Sequence, residues 1–126
     1  MKIISTPEGP KPAGHYSQAV VYGGVVYVAG MLGADPASPG SDPGDAGAQT
    51  RQALANVAAV LDAAGSSLDR IVRMTIYVSD IAHWGDVNTV VAEVMGAHKP
   101  ARAIVPVSAF RDPYVVEIVA TAALGG

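Results

Sequence analysis

Hydrophobic and polar residues alternate most cleanly between Ile71 and Ser79. Val72, Met74, Ile76 and Val78 fall on one side, and Arg73, Thr75, Tyr77 and Ser79 on the other, which is the two-residue period of a half-buried strand. Upstream, Leu54, Val57, Val60, Leu61 and Ala64 recur at helical spacing. They predict a helix from about Asp45 to Ala64, with Gly65 as its stop. Ala19–Tyr22 and Val25–Val28 are apolar runs joined by Gly23-Gly24, and two glycines supply the positive φ angles of a tight hairpin. The stretch from Met31 to Gly47 holds Pro36, Pro39 and Pro43 and reads as a surface loop, as does Pro7–Gly14. A second helix is expected from about Ile81 to Ala97, with Asp80 as N-cap and Trp84, Val87, Val91 and Val94 turned inward. Strands around Arg102–Val107 and Tyr114–Ala122 close the chain.

The resulting order, ββαβαββ, predicts an α+β fold: a mixed sheet with two helices on one face, in a single domain spanning residues 1–126. Such a layout leaves the other sheet face without a helix to cover it. Half of the residues are hydrophobic and only 15% are charged, with a mean hydropathy of +0.31. That excess of apolar surface points to other copies of the chain as the cover. The pattern alone does not set the copy number.

The net charge of -3 and pI near 5.4 argue against a nucleic-acid partner, because nothing would neutralise a run of phosphates. Glycines, prolines and charges interrupt every apolar run before the ~20 residues of a membrane span, so no membrane association is expected. The first residues carry no long apolar segment, and a cytoplasmic location without a signal peptide is the expectation. Zero cysteines remove thiolate ligands and thiol nucleophiles. His15, His83 and His98 are scattered without the spacing of a helical metal pair. No metal and no cofactor are therefore expected.

Arg102 enters a nearly aliphatic strand, Ala101-Arg102-Ala103-Ile104-Val105. A guanidinium there costs desolvation unless it meets an anion, and its planar fork suits a carboxylate bidentately. The alternative is a structural ion pair with an acidic side chain. Glu117 is flanked by Val115, Val116, Ile118 and Val119, a carboxylate on a face otherwise made for burial. It calls for a raised pKa, a partner or a water. The alternative here is a Glu117–Arg102 pair serving only the assembly. Tyr16, just before the first hairpin strand, offers an aromatic wall with one hydroxyl, or simple packing. Gly30, followed by Met31, permits close approach of a ligand to the backbone, or marks a turn.

Taken together, Gly14-His15-Tyr16-Ser17-Gln18-Ala19, Val28-Ala29-Gly30, Gln49-Thr50, Leu54-Ala55-Asn56-Val57, Leu61-Asp62-Ala63-Ala64-Gly65, Val87-Asn88, Pro100-Ala101-Arg102 and Val116-Glu117-Ile118 resemble the RidA/YjgF family of imine deaminases from end to end. The resemblance implies a chorismate-mutase-like homotrimer with clefts between subunits. It implies hydrolysis of 2-aminoacrylate- and 2-iminopropanoate-type enamines and imines to 2-oxo acids and ammonia, without a cofactor. By the same resemblance Arg102 clamps the substrate carboxylate and Glu117 holds the attacking water. Tyr16 lines the pocket from the neighbouring subunit, Asn88 lies near the cleft, and a backbone carbonyl near Ile104 helps orient the water. Where many members have Ser-Gly-Gln, this chain has Ala29-Gly30-Met31, and Ile104 stands where archetypal members carry cysteine. Those changes imply a more apolar pocket. Two other functions fit the same cleft: a non-catalytic carboxylate-binding or regulatory trimer, and a pathway-specialised enzyme for a bulkier imine or enamine.

Overall fold

A computed structural model describes residues 1–125. Its strands are β1 (Lys2–Ile4), β2 (Ala19–Tyr22), β3 (Val25–Leu32), β4 (Ile71–Val78), β5 (Ala101–Pro106) and β6 (Val116–Ala123), and its helices are α1 (Ala46–Ala64) and α2 (Trp84–Met95). The six strands form one mixed sheet in the order β1-β2-β3-β6-β4-β5. Only β4 and β5 run parallel, joined by the crossover through α2, as a parallel pair requires. The α+β reading with two helices on one mixed sheet holds, with one strand more than the sequence pattern gave. β1 pairs with β2 from Lys2↔Val21 to Ile4↔Ala19.

α1 forms where the periodicity placed it. Asp45 caps it by accepting from the Ala48 N–H at 2.9 Å, a bond worth about 1 kcal/mol. Gly65 ends it at φ 83°, in the left-handed region that glycine reaches without strain. Leu54, Val57, Val60 and Leu61 are fully buried against Met74, Ile76 and Ile118 of the sheet, each side chain contributing roughly 1.5–3 kcal/mol of transfer free energy. α1 packs on β3 and β6 and along α2, so one sheet face is the core.

Three local expectations need correction. Met31 and Leu32 belong to β3, not to the following loop, and Met31 is buried. A register shift between Ile71 and Arg73 makes Ile71 the buried residue and leaves Val72 55% exposed, since one inserted residue flips the alternation. The second helix is split into a 3-10 turn at Ile81–His83, capped by Asp80, followed by α2. Within α2, Val87 and Val91 are buried and Val94 is half-buried, while Trp84, the first residue of the helix, is 42% exposed.

Among the described residues no helix packs on the opposite sheet face. A row of paired residues there runs Leu32–Glu117–Tyr77–Val105, and Tyr27 on the same face is 50% exposed.

Candidate functional site

The predicted site residues fall into two groups, separated by the sheet itself. Arg102 aligns with Met74 and Ile104 with Ile76, and both partners are fully buried beneath the helices. Arg102 therefore rises on the helix side. Its Nη1 donates to Asn88 Oδ1 of α2 at 2.8 Å, and its guanidinium carbon lies 5.8 Å from the centre of the Trp84 ring. Residues 84 and 88 are one helical turn apart on the same side of α2. Together they hold the guanidinium by a hydrogen bond and a cation–π contact. Among the described residues the one ion pair is the exposed Arg51–Glu93 bridge between the helices. Among the described residues Arg102 has no carboxylate partner, and the remaining N–H groups of its fork make no hydrogen bond.

Glu117 aligns with Tyr77 and Leu32, on the uncovered face. With β4 between β5 and β6, the two strands stand about 10 Å apart, and the side chains diverge to opposite faces. A Glu117–Arg102 ion pair does not form within one chain. Glu117 instead lies on bare backbone: a Cβ placed on Gly30 would stand 2.8 Å from Glu117 Oε1 and 2.9 Å from its Cδ. β3 carries a register shift between Val28 and Met31 at this point, so the glycine and the bulge bring Glu117 flat against the strand.

Tyr16, Gly30, Met31, Tyr114 and Glu117 line a cavity of about 120 Å³. The Tyr16 hydroxyl accepts from the Ala13 N–H at 3.1 Å, while the residue as a whole is 51% exposed. The Arg102 group lines a separate groove of about 380 Å³, with Asn88, Val91, Met95 and Pro100. Ile104 stands beside it on β5, half-buried against the core. β5 is an edge strand. The Val107 N–H points inward to the Val78 carbonyl at 2.8 Å, and strand alternation then directs the Ile104 carbonyl outward, away from the sheet. Pro106 shares that outward parity, where a missing N–H costs no ladder bond.

Three buried amides that the sequence reading did not single out as site residues fix these walls. Gln18 accepts from the Thr6 N–H at 2.7 Å and donates to the Thr6 and Pro10 carbonyls, fastening the N-terminal segment beside Tyr16. Gln49 donates to the Gly44 and Pro113 carbonyls and accepts from the Val115 N–H at 2.8 Å, setting the start of β6 two residues before Glu117. Asn56 donates to the Leu32 and Ala34 carbonyls at the end of β3. The signal for two of them was present in the sequence. Gln49 and Asn56 sit at i and i+7 on the core face of α1, where a polar side chain must find buried partners.

The profile of the family described as endoribonuclease L-PSP matches residues 6–124. A RutC family protein of Pyrococcus horikoshii is 40% identical over 121 residues, covering 96% of each chain. The 2-iminobutanoate/2-iminopropanoate deaminase of Bos taurus is 40% identical over 124 residues, covering 98% of this chain and 90% of that one. Among solved structures, RidA of an Antarctic Psychrobacter superposes with a TM-score of 0.92 at 35% identity, covering 98% of this chain and 100% of that one. The chain belongs to the RidA/YjgF family.

Proposed function

We propose that this protein hydrolyses 2-imino acids, and the enamines that tautomerise to them, to 2-oxo acids and ammonia, in a homotrimer whose sites lie between chains. The observation that carries this reading is the separation of Arg102 from Glu117 by their own sheet. One chain cannot turn both groups onto a single small substrate, whereas two chains can: one presents Arg102, Asn88 and the Ile104 carbonyl, and its neighbour presents Tyr16, Gly30, Met31 and Glu117. The uncovered sheet face and the exposed ring of Tyr16 support such an assembly. The name of the bovine relative supports the reaction.

A protonated imine is already electrophilic, so the protein's task is placement. The free side of the Arg102 fork binds the substrate carboxylate and fixes the C=N carbon. A water held by Glu117 and the outward Ile104 carbonyl adds to that carbon, and Glu117 accepts its proton. Glu117 returns that proton to the carbinolamine nitrogen, then accepts the hydroxyl proton as the C–N bond breaks. The departing ammonia carries this proton away as ammonium, leaving the 2-oxo acid and an ionised Glu117. No metal, cofactor or nucleic acid takes part, although the family profile bears a ribonuclease name. The net charge of -3 favours a small anion held at one arginine over an RNA backbone.

The test mixes two inactive parents, Arg102→Ala and Glu117→Gln, unfolds them together and refolds them. Random assembly makes about one interfacial site in four wild type. Ammonia release from a freshly generated 2-imino acid recovers to about a quarter of the wild-type rate. A mixture that stays inactive overturns the shared site. Wild-type protein that binds 2-oxo acids without releasing ammonia leaves the non-catalytic carboxylate-binding trimer as the function.

A further inference from the structure

The groove beside Arg102 is much larger than a three- or four-carbon imino acid needs. It holds about 380 Å³, while a molecule of six heavy atoms fills roughly 100 Å³, the share of three or four waters. Val91, Ala92 and Met95 of α2 line it, together with Pro100. Arg102, Asn88, His98 and Lys99 are its polar lining, which holds no aspartate or glutamate. His98 is committed to the Ile71 carbonyl at 2.8 Å. The groove thus combines apolar side chains with cationic ones, among them the guanidinium that bonds Asn88 through Nη1 alone among the described residues.

We infer that this groove is the side-chain subsite of the enzyme, and that the preferred substrates are 2-imino acids with branched aliphatic or other bulky apolar side chains. The inference rests on the reading of Arg102 as the carboxylate clamp. With the carboxylate on the fork, a short side chain leaves the Val91–Met95 wall wet. A longer one covers it and gains about fourfold in affinity per methylene buried. A second recess, of about 660 Å³, lies between the N-terminal segment and the 34–40 loop, with Lys11 and Arg111 on its wall. It is the competing subsite, and it would favour a substrate with a second carboxylate.

The experiment uses the chain's single tryptophan, Trp84, whose ring faces the Arg102 guanidinium, as a fluorescent reporter. Wild-type protein is titrated with pyruvate, 4-methyl-2-oxopentanoate and 2-oxoglutarate, stable product analogues with one shared head group. The expected result is that 4-methyl-2-oxopentanoate binds roughly tenfold more tightly than pyruvate, three methylenes in a half-open groove. Ala92→Phe, which fills the groove from an exposed position of α2, brings the two affinities to within about threefold of each other. Equal affinities in the wild type, or a preference that survives Ala92→Phe, overturn the subsite while leaving the carboxylate clamp standing. Tightest binding of 2-oxoglutarate overturns it in favour of the Lys11–Arg111 recess. Failure of all three acids to bind removes the clamp and the subsite together.

Discussion

The carboxylate of Glu117 rests where a Cβ of residue 30 would be, 2.8 Å from its Oε1. Gly30→Ala therefore cannot be accommodated without moving Glu117. The obstacle is the end of a side chain rather than backbone, so the fold yields by re-aiming the carboxylate and the melting temperature changes little. Imine hydrolysis falls by tenfold or more, because a displacement of about an ångström at the proton acceptor is costly. Full activity in Gly30→Ala would mean that the position of Glu117 is not critical.

Glu117→Gln keeps shape and packing but removes the proton acceptor. Turnover drops by about 10²- to 10⁴-fold, the usual contribution of a positioned base, while 2-oxo acid affinity persists. Loss of ligand binding together with turnover would reassign Glu117 to the assembly of the chains.

The uncovered row Leu32–Glu117–Tyr77–Val105 leads to a statement about mass. Light scattering at micromolar concentration should report three chains, and Tyr77→Glu, which adds a second carboxylate beside Glu117, should shift the population towards monomers. Like charges directly opposite on neighbouring strands destabilise by up to about 1 kcal/mol, and burial of the pair in an interface increases that cost. A monomeric wild-type protein that still hydrolyses imines would contradict a shared site.

How much of the fold was legible in the sequence depended on the length of each repeating pattern. α1 and the Met74–Val78 part of β4 were readable because many successive residues agree on one period. β1 escaped because only Ile4 of its three residues is buried, too short a run to alternate. Trp84 is 42% exposed because it opens α2 and meets the Arg102 guanidinium rather than the core, a placement that helical periodicity alone does not give. Arg102 and Glu117 were both visible as charges among apolar neighbours. Their opposite orientation was not, because alternation assigns faces only within one strand. The relative facing of β5 and β6 is set by pairing through β4.

Gln49 gives a stability prediction independent of any substrate. Its amide is 1% exposed and makes three hydrogen bonds to backbone, including the Val115 N–H. Gln49→Leu is close in size but strands those groups, at a cost of about 1–3 kcal/mol for each one left buried and unpaired. Denaturant unfolding should show a loss of about 2–4 kcal/mol. A surviving trimer should also show reduced turnover, since the start of β6 is no longer held to α1. A loss below about 1 kcal/mol would mean that water replaces the amide.

Arg102→Lys conserves charge and still fails. An ammonium cannot offer two parallel N–H groups to a carboxylate, and a shorter point donor gives up the Asn88 bond or the Trp84 face that aims it. The loss is about 2–4 kcal/mol of transition-state binding, or roughly 30- to 1,000-fold in kcat/KM. The fold survives because Arg102 neutralises no acid among the described residues, so the melting temperature moves by a few degrees at most. Hydrolysis rates and melting curves of the two proteins, measured side by side, separate the outcomes. Full activity in the lysine variant rules out bidentate clamping. Inactivity accompanied by a collapse in melting temperature makes the guanidinium a structural brace between β5 and α2, and leaves the 380 Å³ groove without an anchor for a carboxylate.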